Sequence, residues 1–298
     1  LSIETEKKSK LEFTPPTAEQ VRGLFTENRP TQDSLWMVRL PLFIGLGAVG
    51  ILLLVDNAVI TMMLWLAFIS VFIAAMMRVR YLKQLEAQGV QVDEWAMQRR
   101  YVDALRSAWV LLPKSRKRHG LYMRMSNVIA HCLSELKCHE ASAEAYDFLI
   151  DHLPLEGAGV KQLRVYRAIS WLMEDRLADA DDTLRHLRGV KSEFKGTALA
   201  SAYTYAELLQ CVKTYHFDEG VALSETLLND MRPLGIEAGY TYAMMSTCYH
   251  EMVLRTEDEK EKARLEKEAN KWWEYATCLI KEEHLMNRMP PEVMKQRS

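Results

Sequence analysis

The chain has 298 residues, 49% of them hydrophobic and 26% charged, with a net charge of −2, 13 Gly and 9 Pro. That profile excludes a disordered or collagen-like chain, and the lack of a basic excess argues against a nucleic-acid binder. Five Cys in this length do not make a disulfide scaffold, and length alone predicts about two structural units.

Residues 1–35 form a polar arm containing Pro15, Pro16 and Pro30. Thr17-Ala-Glu-Gln20 has the form of a capping box. Val21, Leu24 and Phe25 then make a short apolar stripe. One short helix is predicted here, lying on a membrane surface or on the hairpin that follows.

Leu40–Val55 is sixteen residues without a charge, and Ala58–Met77 is twenty more. Twenty helical residues cover the ~30 Å hydrocarbon core of a bilayer. The first run reaches that length from Trp36, with Trp36 at the interface and Arg39 reaching to the headgroups. A single helix over 36–77 would be ~60 Å long and would place Asp56 in lipid. The reading is therefore a transmembrane hairpin over 36–77, with spans at about 36–55 and 58–77 and Asp56-Asn57 at the far turn. Arg22, Arg29 and Arg39 precede it, Arg78, Arg80 and Lys83 follow it, and the turn has no Lys or Arg. The positive-inside rule puts both termini in the cytoplasm, a pattern that suits a bacterial inner membrane. Ala67, Ser70 and Ala74 share one face of the second span, where small residues allow close helix packing. Gly45, Gly47 and Gly50 of the first span are the expected neighbours.

Residues 78–118 are predicted as a basic juxtamembrane helical linker. It holds ten Lys/Arg against four Asp/Glu, whereas residues 119–298 hold 22 against 29. The small net charge is thus a cancellation. Arg78, Arg80, Lys83, Lys114, Arg116, Lys117 and Arg118 are candidates for contact with lipid headgroups or an acidic partner. The helix leaving the second span is expected to stop at Gly89. A second is expected over about Val92–Leu112, ended by Pro113.

From 119 to 285 amphipathic helices alternate with short connectors, and no strand is predicted. Helix pairs recur at about 158–173 with 177–188, 194–213 with 216–231, and 238–254 with 259–284. Ala143, Ala180, Gly220 and Ala269 open the second helices alike, at steps of 37, 40 and 49 residues. A small residue there lets a helix pack closely on its pair mate. Glu257–Glu268 is a charged insert, expected to extend the last helix. Residues 286–298, with Pro290-Pro291, are expected to form a flexible tail.

These small positions, and the larger residues a turn later, resemble the tetratricopeptide repeat, a 34-residue helix–turn–helix unit. Here the steps are longer and the Trp-Leu-Gly pattern of the first helix is missing. The resemblance implies an all-α, TPR-like α-solenoid whose first helices line a groove for partner peptides. Tyr203, Tyr205, Tyr240 and Tyr242 fall in two successive first helices. Residues at i and i+2 cannot share a helix face, so one Tyr of each pair is expected to be exposed as a partner anchor.

No Walker-type glycine loop, GxGxxG, GxSxG or HExxH motif occurs. The five Cys form no CxxC pair, and His131-Cys132 with Cys138-His139 falls on different faces or across a turn. No catalytic, cofactor or metal site is therefore expected. The partners expected are membrane lipid and one or more proteins, and not nucleic acid. They fit two readings: a membrane-anchored scaffold, or an accessory subunit of an integral membrane complex or homo-oligomer held through its spans.

Overall fold

Thr17 caps the first helix, α1 (Ala18–Glu27), in the computed structural model of the chain, with both arms of the capping box in place. The Gln20 backbone N–H donates to Thr17 Oγ1 (3.3 Å), and the Thr17 N–H donates to Gln20 Oε1 (2.9 Å). Described are residues 13–31, 47, 58–152, 157–189, 191–194, 196–290 and 293. The expected first span, with Gly45 and Gly50, and the Asp56-Asn57 turn lie outside them. Every regular element among the described residues is helical. Contacts divide the chain into two units, residues 1–141 and 142–298.

In the first unit, Val21 and Phe25 of α1 are fully buried. The helix faces α3 (Tyr101–Ser115). Leu24, Leu105 and Trp109 share the walls of a cleft of about 680 Å³ between the two. The next helix, α2 (Ala58–Met97), runs forty residues without a break. It does not stop at Gly89, because Gly89 is a packing position rather than a terminus. A Cβ there would come within 2.2 Å of Arg124 Nη2 and 2.6 Å of Leu121 Cδ1, so α4 (His119–Glu135) packs closely here and a larger residue would have to displace the ends of those two side chains. Arg124 Nε then pairs with Asp93 at 3.1 Å. The second helix starts at Tyr101 rather than Val92, and Pro113 sits within its last turn. The sequence placed 119–135 at the head of the repeat domain. That helix instead packs on α2 and α3 and belongs to the first unit.

The second unit holds most of α5 (His139–His152), followed by α6 (Ala158–Met173), α7 (Leu177–Arg188) and α8 (Ala198–Thr214). Then come α9 (Phe217–Ala222), α10 (Ser224–Met231), α11 (Ala238–Arg255), α12 (Glu259–Leu279) and α13 (Glu282–Arg288). The charged insert is helical from Glu259, the first residue of α12, with Asp258 as its cap. Neighbouring helices pair as α6 with α7 and α11 with α12, and α8 packs on α6, α7, α9 and α11. The expected flexible tail is docked at its start: Leu285, Met289 and Val293 recur every fourth residue and are buried in the unit's core.

One turn recurs along the chain. Arg99, Lys137, Asp175 and Tyr215 all have positive φ, between 57° and 63°, at steps of 38, 38 and 40 residues. In each case the next residue's N–H donates five residues back: Arg100 to Trp95 O, Cys138 to Leu133 O, Arg176 to Trp171 O and His216 to Cys211 O, at 2.8–3.0 Å. This is the Schellman bond that closes a helix end. Five residues after each turn stands a buried small residue: Ala104, Ser142, Ala180 or Gly220. Twelve residues after it stands a buried leucine: Leu111, Leu149, Leu187 or Leu227. Ser142 thus takes the place expected for Ala143, and the series starts within α2 rather than at 119. The α11–α12 connection differs, with Thr256 extended and Asp258 capping α12 through the Lys260 N–H.

A left-handed non-glycine residue costs about 1 kcal/mol. Lys137→Gly is therefore expected to raise stability by up to about 1 kcal/mol, and Lys137→Val to lower it. Thermal melting of the two variants beside the parent checks both signs.

Candidate functional site

The segment of α2 that follows its first turn is bare. Among the described residues one helix is long and apolar enough to cross a membrane, Trp65–Met97, whose apolar window has a mean hydropathy of 1.5 and no buried residue. Trp65, Leu66, Ile69, Phe72, Ile73 and Met77 all face outward. Ala67, Ser70 and Ala74 are exposed among them. Ser70 Oγ donates to Leu66 O (2.8 Å), which satisfies its hydroxyl within the helix.

The basic residues gather where this helix enters the first unit. Arg78, Arg80 and Lys83 are exposed on α2. The α3–α4 turn lies against α2 a little further on, because Arg118 Nη2 meets Glu86 Oε1 at 3.8 Å. The Thr31 N–H donates to Arg116 O (3.0 Å), and Arg116 Nε donates to Arg29 O (3.3 Å). Three chain segments therefore meet at one turn. Lys114 and Lys117 are exposed there, and Arg116 and Arg118 are half-buried. Beneath them Tyr122 is fully buried. Burial pushes its phenol up to about 12, with Ser126 and the charges of Arg116 and Arg29 pulling the other way.

The tyrosines are placed differently from expectation. Tyr203 is completely buried in α8, with its hydroxyl donating to Leu184 O (3.3 Å), and Tyr205 is half-buried. Tyr240 and Tyr242 are both buried in α11, and Tyr242 packs on Trp272 (5.5 Å) and Tyr275 (6.2 Å). Neither pair offers a fully exposed ring. The reason is that α8 and α11 have helices on more than one side, which leaves little of either surface open to solvent.

A cleft of about 470 Å³ opens between α7, α8 and α9, lined by Asp181, Glu207, Gln210, His216 and Glu219 among others. Its charges are largely spoken for. Gln210 Nε2 donates to Asp181 Oδ1 (2.9 Å), and Lys191 Nζ pairs with Glu207 Oε2 (2.6 Å). The hydrogen bond from Gln210 holds the Asp181 carboxyl below its ordinary range, helped by Arg185. Cys211, on the wall of this cleft, is buried, and desolvation pushes its thiol up to about 12. Cys132 is raised likewise. Such thiols are poor nucleophiles. Among the described residues no group of His, Cys, Asp and Glu is arranged to hold a metal ion.

One repeat is legible in the sequence by its spacing. Trp95-x-Met-x-x-Arg100-x-x-Asp103-Ala104 recurs as Trp171-x-Met-x-x-Arg176-x-x-Asp179-Ala180, 76 residues on. In both copies the arginine lies over the tryptophan ring (5.3 and 5.2 Å) and pairs with the aspartate (2.8 and 2.7 Å). The motif stitches the turn from both sides: the cation on the ring secures the end of one helix, and the ion pair fixes the start of the next. Compared with known proteins, the chain finds no match: no family model, no curated protein and no solved structure corresponds to it.

Proposed function

We propose that the chain is a membrane-anchored interaction protein, a scaffold or adaptor whose TPR-like helical repeats present a cytoplasmic surface to a protein partner. One observation carries this reading. The exposed apolar helix α2 runs without a break into the first of four like turns, so anchor and repeat share a helix and no linker separates them. Tethering raises the effective concentration of whatever the repeats bind, and no turnover is needed for that.

The two-span hairpin, with both termini cytoplasmic in a bacterial inner membrane, belongs to the same proposal. Thr31 is tied to Arg116, close to Glu86 of α2. Ala58 begins the same helix, roughly 40 Å away at 1.5 Å per residue. The run Leu40–Val55 lies between Thr31 and Ala58 in sequence. A second crossing, antiparallel to α2, accounts for that distance.

The exposed Ala67, Ser70 and Ala74 face favours a second reading, an accessory subunit held through its spans in a transport, secretion or assembly complex. Purification of tagged full-length protein in mild detergent separates the two. Ser70→Leu crowds the helix face, and Asp218→Arg with Glu219→Arg reverses the charge of the exposed start of α9. A protein retained at fixed stoichiometry by the parent and by Ser70→Leu, and lost from the α9 variant, supports the adaptor. The opposite pattern supports the accessory subunit. No stoichiometric protein in any preparation overturns both.

A further inference from the structure

We propose that the α3–α4 turn is a seat for anionic phospholipid headgroups, formed by Arg29, Lys114, Arg116, Lys117 and Arg118 together with Lys83 of α2. The proposal rests on the reading of α2 as a membrane span and adds a second, electrostatic contact beside it.

Height along α2 is the first argument. Its bare apolar surface reaches Met77, and Arg78, Arg80 and Lys83 follow directly. Glu86, where the turn is held, lies about 13 Å further along the axis, given 1.5 Å per residue. The headgroup region adds roughly 5–8 Å beyond each face of the hydrocarbon core. The turn therefore stands just above the phosphates, within reach of extended Lys and Arg side chains. Since α3 and α4 run away from this turn along the length of α2, with Arg124 of α4 already at Asp93, the turn is the part of the hairpin nearest the lipid.

Charge and rigidity are the second argument. Lys83, Arg29, Lys114 and Lys117 are exposed, and Arg116 and Arg118 are half-buried. Glu86 is the carboxylate that faces the turn from α2, and Arg118 and Arg124 both share it. The positive charge is thus in clear excess. It is also held in place, by the bond from Thr31 to Arg116 O and by that from Arg116 to Arg29 O. Like charges fixed this closely repel one another, and a layer of phosphates relieves the repulsion. Clusters of four to eight cations directly cytoplasmic of a membrane helix have this affinity, with each charge near the surface contributing to it. The same cluster would repel zwitterionic headgroups no more than it attracts them, so the preference is for net negative lipid.

The test uses full-length protein purified in mild detergent from a mixture of equal parts phosphatidylcholine and phosphatidylglycerol, with bound lipids read by native mass spectrometry. The parent is expected to retain phosphatidylglycerol in several-fold excess, and the excess is expected to fall as salt rises. Lys114→Glu with Lys117→Glu changes exposed positions only and is expected to cut the excess at least fivefold. Lys114→Gln with Lys117→Gln should give an intermediate loss. Equal retention of the two lipids by the parent, or an unchanged excess in the Glu variant, overturns the seat. Retention of an acidic protein in place of lipid overturns it as well. Membrane insertion is read separately, by flotation of the parent with vesicles after carbonate washing. A parent that floats but shows no lipid preference refutes the seat alone. A parent that does not float refutes the span on which it rests.

Discussion

Tyr203→Ala is expected to lower the melting temperature of the full-length protein by roughly 10 °C or more, and Tyr205→Ala to lower it only slightly. Tyr203 has no exposed surface, and its ring lies near Phe194 (6.3 Å) and under Lys191 Nζ (5.4 Å). Its hydroxyl donates to a backbone carbonyl. Truncation removes a large ring from a packed interior and leaves the Leu184 carbonyl without that donor. Aromatic-to-alanine changes of this kind cost about 3–5 kcal/mol, and 1 kcal/mol corresponds to about 2–4 °C in a unit of this size. Tyr205, two residues on and half-buried, should cost about 1 kcal/mol. Near-ultraviolet circular dichroism followed through the melt measures both. If Tyr203 acted as a partner anchor on an open groove, its removal would leave the melt unchanged. The fold predicts the reverse.

Gly89→Leu is expected to separate α2 from α4 locally, at a cost of about 1–3 kcal/mol. As helix formers, leucine and alanine both exceed glycine, by up to about 1 kcal/mol. On propensity alone the substitution would therefore stabilise α2. Packing decides the sign instead. The first atom of any side chain already falls inside the radius of Leu121 Cδ1 and of the Arg124 guanidinium. Displacing Arg124 also weakens its pairs with Asp93 and Glu86. Hydrogen exchange is the fitting measurement: faster exchange in α4 and in the second half of α2, with the second unit unaffected, is the expected pattern. Gly89→Ala should leave exchange close to that of the parent, since a lone methyl group asks only the flexible ends of Leu121 and Arg124 to move and the gain in helix propensity offsets it. Protection equal to that of the parent would mean that the close approach at Gly89 does not hold the hairpin.

Much of the architecture was legible before the structure. The capping box at Thr17, the apolar run from Ala58, the absence of strands among the described residues, the bounds of α6, α7 and α11 and the start of α12 all follow from local rules of capping, hydropathy and period, whereas the end expected at 284 falls at Leu279, where Ile280 is extended. The differences between expectation and structure share one physical cause. A stop at Gly89, an exposed anchor at Tyr240 or Tyr242, and a loose start to the tail at Met289 and Val293 each rest on a residue's own preferences. Each was reversed by what packs against it: Leu121 and Arg124 at Gly89, Trp272 at Tyr242, and the core of the second unit at Leu285, Met289 and Val293. The turn series was hidden for another reason. Its left-handed position is filled by Arg, Lys, Asp and Tyr in turn, none of which signals a helix end as glycine does. Only the 76-residue echo of Trp95, Arg100 and Asp103 in Trp171, Arg176 and Asp179 betrayed it in the letters alone.

The sequence by itself determined that the chain is helical, that two neighbouring runs are apolar enough for lipid, and that positive charge crowds beside them. Those properties are sums over neighbouring residues, so nearness along the chain is enough to read them. The tertiary structure alone decided that α2 continues through Gly89 to the first of the four like turns, that the α3–α4 turn sets the Lys114–Arg118 run against α2 at Glu86, close to the end of its exposed apolar stretch, and that Thr31 is tied to the same place. Those facts depend on contacts between residues up to 87 positions apart, as Arg116 is from Arg29. Such contacts form only where the shapes of two helices fit, and shape fit is not a property of either helix's residues taken alone.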